Sequence, residues 1–95
     1  MAGYVIVNDE VTDETVFAEF RSRVAATVEA HGGRYLVRGG AAELVDGDWE
    51  PGRVVVIEFD SVEQAKGWLT SPEYTEIKEI RMRSARASVV IVEGV

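Results

Sequence analysis

The chain has 95 residues, 46% hydrophobic and 28% charged, a composition that fits one globular domain and leaves no room for a second core. With 17 acidic residues against 10 basic ones its formal charge is −7, which repels phosphate backbones and anionic lipid and makes nucleic acid and membrane surfaces poor partners. Cysteine is absent and histidine occurs once, at His31, so disulfides, thiolate chemistry and a Cys/His zinc site are ruled out, and the sequence implies no cofactor.

Met1–Glu10 carries a short apolar run without a basic leader, and no stretch approaches the roughly 18 apolar residues of a membrane span, so the cytoplasm is the expected compartment. Tyr4–Val7 reads as a first strand that gives way to the polar stretch Asn8–Asp13, where Thr12 or Asp13 can cap a helix. From there Phe17, Phe20, Val24 and Val28 recur at helical spacing, until Gly32-Gly33 closes the helix. Arg34–Arg38 alternates as a second strand, which Gly39-Gly40 interrupts and Ala41–Val45 is expected to resume before the turn at Asp46-Gly47.

After Pro51-Gly52, the run Val54, Val55, Val56, Ile57 marks a third strand with apolar side chains on both faces. Ser61 and Gln64 resemble a capping box in front of a short helix with Val62, Ala65, Trp68 and Leu69 on one face. Ser71-Pro72 restarts the chain as N-cap and first-turn proline of another helix, through Tyr74, Ile77 and Ile80 to Arg81. Ala87–Val92 closes the chain as a fourth strand, again apolar on both sides.

The order βαββαβ matches the ferredoxin-like α+β plan, a four-stranded antiparallel sheet with right-handed crossovers that place the helices on one face. A sheet wet on its other face should show polar residues at every second position, and the first, third and fourth strands do not. No segment remains to cover that face. A second copy packed sheet to sheet across a two-fold axis is the expected cover, with on the order of 1,600 Å² or more buried.

The segments His31–Gly40, Val55–Phe59, Ser71–Tyr74, Arg81 and Ile91–Gly94 together resemble the family called domain of unknown function 1330 over nearly the whole chain. The resemblance implies a homodimeric α/β barrel, in a superfamily that also holds antibiotic-biosynthesis monooxygenases, muconolactone isomerase-like proteins and haem-degrading enzymes. The family has no settled activity, and fold does not transmit function. Haem degradation in those relatives uses a histidine on the second helical region, whereas His31 closes the first helix.

Six residues stand out as candidates. Arg38, in an apolar strand before Gly39-Gly40, has the planar fork that binds a carboxylate; an ion pair with Glu58 is the competing reading. Glu58 interrupts the valine-rich third strand on the face of Val54 and Val56, where desolvation would raise its pKa and make it a general base, while pairing with Arg38 would lower it. His31 can move a proton near neutral pH or simply meet the terminal helix carbonyls. Trp68 and Tyr74 can line a pocket or belong to the core, and Arg81, seven residues beyond Tyr74, can reach the same side or lie in solvent. No phosphate-loop, dinucleotide, nucleophile-elbow or metal-ligand motif occurs. Two functions follow: a small-molecule site for cofactor-independent oxygenation or isomerisation of an aromatic or carboxylated metabolite, with Glu58 or His31 catalytic and Arg38, Trp68, Tyr74 and Arg81 binding; or a non-catalytic dimeric binding or structural module.

Overall fold

In the computed structural model, which describes all residues Met1–Val95, seven elements follow one another: β1 (Gly3–Val11), α1 (Glu14–Ala30), β2 (Arg34–Arg38), β3 (Arg53–Phe59), α2 (Val62–Leu69), α3 (Pro72–Ser84) and β4 (Ala85–Glu93). Each helix starts at a side chain that the sequence marks. Asp13 accepts from the Val16 N–H at 3.1 Å, Ser61 from Gln64 at 3.0 Å, and Ser71 from Tyr74 at 3.2 Å ahead of Pro72. Helix α1 ends at His31, where the left-handed Gly32 (φ 75°) and Gly33 return their N–H groups to Glu29 and Val28. The Gln64 amide does not complete its capping box; it donates to the His31 carbonyl at 2.7 Å and ties α2 to that helix end.

The four strands form one antiparallel sheet in the order β2-β3-β1-β4. All three helices lie on one face, and the apolar stripe of α1 packs there with Val5, Val7, Val55, Ile57, Phe59, Trp68, Tyr74, Ile77 and Ile80. The opposite face carries no helix, and only the loop after β2 borders it, where Trp49 lines a cavity with Ile6, Val54 and Val90. Ile6, Val37, Val90 and Val92 are 38–50% exposed there, against 0% and 8% for Val5 and Val7 on the helix side. The chain is 16 Å thick in its short dimension, one sheet plus one helical layer. No helix is long and apolar enough to cross a membrane.

Three expectations are corrected. First, β1 does not end at Val7: its alternation runs on through Asp9 to Val11, because Asn8 and Asp9 pair with Val54 and Arg53 on one side and Ser88 and Ala87 on the other. Second, Ala41–Val45 forms no strand. Left-handed Gly39 (φ 73°) makes the last bond to β3, at Val54, and beyond it no partner strand exists; residues 39–52 form an exposed loop without regular structure. Third, the irregularity of the second strand lies before Gly39-Gly40: a bulge between Tyr35 and Val37 turns the end of β2 over, so that Arg38 stands opposite Val55 on the helix side of the sheet and away from Glu58.

A candidate functional site between the sheet and two helices

The helix side of the sheet ends in a polar cluster at the foot of β1. Asp9 is the third inward residue after Val5 and Val7 and is 2% exposed. Its cross-strand partner is Arg53, whose Nη1 lies 3.4 Å from Asp9 Oδ2 and whose guanidinium sits over the Phe17 ring at 5.5 Å. Helix α3 runs into β4 without a loop, and Ala85 pairs with Val11 while Thr12 and Asp13 bond to the Ser84 carbonyl. This connection sets the last turn of α3 above the same end of β1 and brings in Arg81, which is 8% exposed.

These three charged residues line a cleft of about 30 Å³ with Val7, Phe20, Val24, Tyr35, Val55, Ile57, Trp68 and Tyr74. That volume admits roughly one or two waters, so a larger guest must displace a side chain. Tyr35 is the one half-buried aromatic of the wall, on the edge strand β2. Its ring is covered by the Arg38 guanidinium at 4.6 Å, and Arg38 forms no ion pair.

Charge in the cleft is incompletely matched. Asp9 Oδ1 and Arg81 Nε are sealed from solvent and have no hydrogen-bond partner. Burial pushes the Asp9 carboxyl above its ordinary range, and the charges of Arg53 and Arg81, with the Arg53 hydrogen bond, act the other way. Burial likewise raises the Tyr35 phenol. Two guanidinium groups, of Arg53 and Arg81, act on the single carboxylate of the cleft, and a third, of Arg38, covers the Tyr35 ring of its wall.

Of the residues singled out in the sequence, the structure brings Trp68, Tyr74 and Arg81 together around this cleft. Trp68 donates its Nε1 to Thr27 at 3.0 Å and packs against Tyr74 at 4.5 Å between ring centroids. Arg38 stands at the rim through Tyr35. His31 and Glu58 are elsewhere. The His31 Nε2 is 3.0 Å from Glu73 Oε2 across the junction of α1 and α3, and this bond holds the Glu73 carboxyl below its ordinary value. Glu58 lies on the uncovered face, where Arg34 Nε donates to it at 2.7 Å and the Tyr4 hydroxyl at 2.9 Å. The pair weighed between Arg38 and Glu58 is therefore made by Arg34, since the bulge carries Arg38 to the other side of the sheet. Hydrogen bonds from Tyr4 and Arg34 lower the Glu58 pKa, which corrects the raised value expected of a general base.

Asp9 and Arg53 escaped the sequence reading. The signal was available in the parity of Val5, Val7, Asp9 and Val11, which places an acid among inward apolar residues. No group of three or more His, Cys, Asp or Glu residues converges as a metal site.

The sheet order and the helices on one face define an α+β domain of the ferredoxin-like class with a small cleft under its helical layer. The chain belongs to the family described as Domain of unknown function (DUF1330), whose model matches residues 2–95. No curated protein matches it. Among solved structures it is similar to a protein of unknown function from Rhodopseudomonas palustris, with a TM-score of 0.80 at 14% identity over 99% of this chain and 82% of that one. It is also similar to a dimeric ferredoxin-like protein of unknown function from Jannaschia sp. CCS1, with a TM-score of 0.69 at 14% identity over 99% and 100% of the two chains. A third likeness, TM-score 0.61 at 15% identity over 99% and 90%, is to a candidate antibiotic biosynthesis monooxygenase from Nitrosomonas europaea.

Proposed function

We propose that the chain is a homodimer, joined through the uncovered sheet faces, that binds a small aromatic or carboxylated metabolite in the cleft of each subunit. The dimer is supported by the apolar face that Ile6, Val37, Val90 and Val92 leave open, and by the similarity of the fold to that of the dimeric protein from Jannaschia sp. CCS1. The ligand reading rests on one observation above all: in a chain of net charge −7, two arginines line a cleft that holds one carboxylate, and a third, Arg38, stacks on the Tyr35 ring of its wall. Such a local excess of positive charge, walled by Phe20, Trp68 and Tyr74, attracts an anion with an apolar body.

In this reading Arg38 receives the anionic group at the mouth and Arg81 holds it inside, while Asp9 moves a proton. An isomerisation then needs no co-reactant. A carbon–hydrogen bond next to a carbonyl breaks toward Asp9, its electron pair delocalises onto the carbonyl oxygen beside Arg81, and the proton returns to a different carbon. Deprotonation is also the first step of cofactor-independent oxygenation, in which dioxygen is the oxidant and the substrate supplies the electrons.

Arg38→Ala tests the site because this side chain stacks on the half-buried Tyr35 ring of the cleft wall and carries no ion pair. Benzoate titrated into the wild type should bind saturably, and the variant should bind at least tenfold more weakly while remaining dimeric. Equal affinity in both would remove Arg38 from the site, and dissociation of the variant would make it structural. A ligand recovered unchanged after long incubation in air would assign the cleft to binding without turnover.

A further inference from the structure

The sheet order β2-β3-β1-β4 leaves two outer edges, and that of β4 is unguarded. Every residue from Ala85 to Glu93 is in register with β1 on one side and has no strand on the other. Between Arg86 and Glu93 the strand carries no charge and no proline, its pairing shows no bulge, and Val89, Val90 and Val92 are 37–50% exposed. A long edge without charge, proline or bulge accepts any strand that reaches it.

The chain also holds a strand-like segment without a partner. Ala41–Val45 follows β2 after Gly39-Gly40, and none of its backbone groups bonds to the rest of the chain. Leu44 and Val45 are exposed, as is Trp49 beyond them. The loop 39–52 carries Glu43, Asp46, Asp48 and Glu50 and no base, while Arg83 and Arg86, which flank the start of β4, form no ion pair within the chain.

We propose that this loop is an arm exchanged between the two subunits of the dimer, with Ala41–Val45 of each copy pairing antiparallel to the β4 edge of the other. Symmetry and charge give the same direction. A two-fold axis set between the sheets and along the strands swaps the two edges, so the β2 side of one copy comes beside β4 of the second. Strand β2 runs with β1 and β4 runs against it, so the continuation of β2 arrives antiparallel. In that direction Asp46 and Asp48 come to the Arg83–Arg86 end of β4, whereas a parallel arm would carry them to Glu93. Setting Asp46 opposite Arg86 places Leu44 opposite Ser88, on the face that carries Val90 and Val92, so the arm extends the apolar interface. The chain's own β4 is three strand spacings from β2, roughly 14 Å, across the face that the second sheet occupies. Trp49 borders Ile6, Val54 and Val90 on that face, so seating the second sheet there turns the arm outward.

The exchange presupposes the dimer proposed above, joined through the uncovered faces, and the two fail differently. Amide hydrogen exchange of the wild-type chain is read by mass spectrometry at a concentration where light scattering gives the subunit number. Amides 41–45, unbonded in the single chain, are expected to exchange at least about tenfold more slowly than unstructured peptide once the dimer forms. Leu44→Cys and Ser88→Cys chains, which hold no other cysteine, are then mixed in urea, refolded together and oxidised. A disulfide joining position 44 of one chain to position 88 of another is expected, identified by digestion and mass, because directly opposed positions of an antiparallel pair lie close enough to bridge. A dimer whose arm exchanges like unstructured peptide, or whose mixed chains form no 44–88 bond, would overturn the arm and leave the dimer standing. A chain that stays monomeric would overturn both.

Discussion

Arg53→Met removes the partner of a buried carboxylate while keeping the length of the side chain. Asp9 is 2% exposed and Arg53 bonds to it at 3.4 Å. Breaking a buried pair costs about 3–5 kcal/mol; the long bond and the remaining charge of Arg81 reduce this to roughly 2–3 kcal/mol near neutral pH, or a fall in Tm of roughly 10–20 °C for a domain of this size. The loss should depend on pH with a definite sign. Burial already raises the Asp9 pKa against the pull of Arg53 and Arg81, and deleting Arg53 raises it further. Between the unfolded value, about 3.9, and the raised folded value, the native state holds the proton more tightly, so stability falls as pH rises through that window. The deficit of Arg53→Met should therefore be largest near pH 7 and shrink as pH falls, as Asp9 takes up its proton in the native states of both proteins. Urea denaturation of both proteins at one fixed subunit concentration across that range measures it. A deficit independent of pH, or one that grows as pH falls, would refute this account of the Asp9–Arg53 pair.

Glu58 should behave in the opposite sense. Its folded pKa is lowered by Tyr4 and Arg34, so its contribution is complete above the unfolded value and disappears as pH falls through the folded one; Glu58→Gln should be less stable than wild type at pH 7, with the gap closing in acid unfolding monitored by circular dichroism. Gly33→Ala tests the packing where α1 hands over to β2: a Cβ there would lie 2.7 Å from Phe59 Cε1 and 2.8 Å from Val28 Cγ1, and the overpacking should cost about 1–3 kcal/mol in the same urea titration. Thr27→Val leaves the Trp68 indole N–H without its 3.0 Å acceptor in the core and should cost about 1–3 kcal/mol, with a change in tryptophan emission.

The helices were legible because their signals are local: Asp13, Ser61 and Ser71-Pro72 are caps, and the Phe17–Val28 stripe is a period. The uncovered sheet face was legible in the same way, from valine runs that fail to alternate. What stayed hidden depends on partners far along the chain. Asp9 looks like part of a polar turn until Arg53, 44 residues away, is seen to lie across from it. Whether Arg34 or Arg38 meets Glu58 turns on one bulge, at Leu36, which leaves no mark in composition. Ala41–Val45 has the residues of a strand but no neighbour to pair with, since β3 begins only at Arg53. The cleft combines both cases: Trp68, Tyr74 and Arg81 follow from helical spacing, and the carboxylate they face follows only from the register of the sheet.

Native mass spectrometry of the freshly purified full chain tests the central claim most directly, because one spectrum reads both subunit number and any small molecule held in the clefts. The account predicts a species at twice the 10.4 kDa chain mass carrying a small acidic aromatic adduct, which Arg38→Ala loses without dissociating and which Val56→Asp, placing a charge on the uncovered face, converts to monomer. A wild-type chain that remains a monomer at micromolar concentration would contradict it.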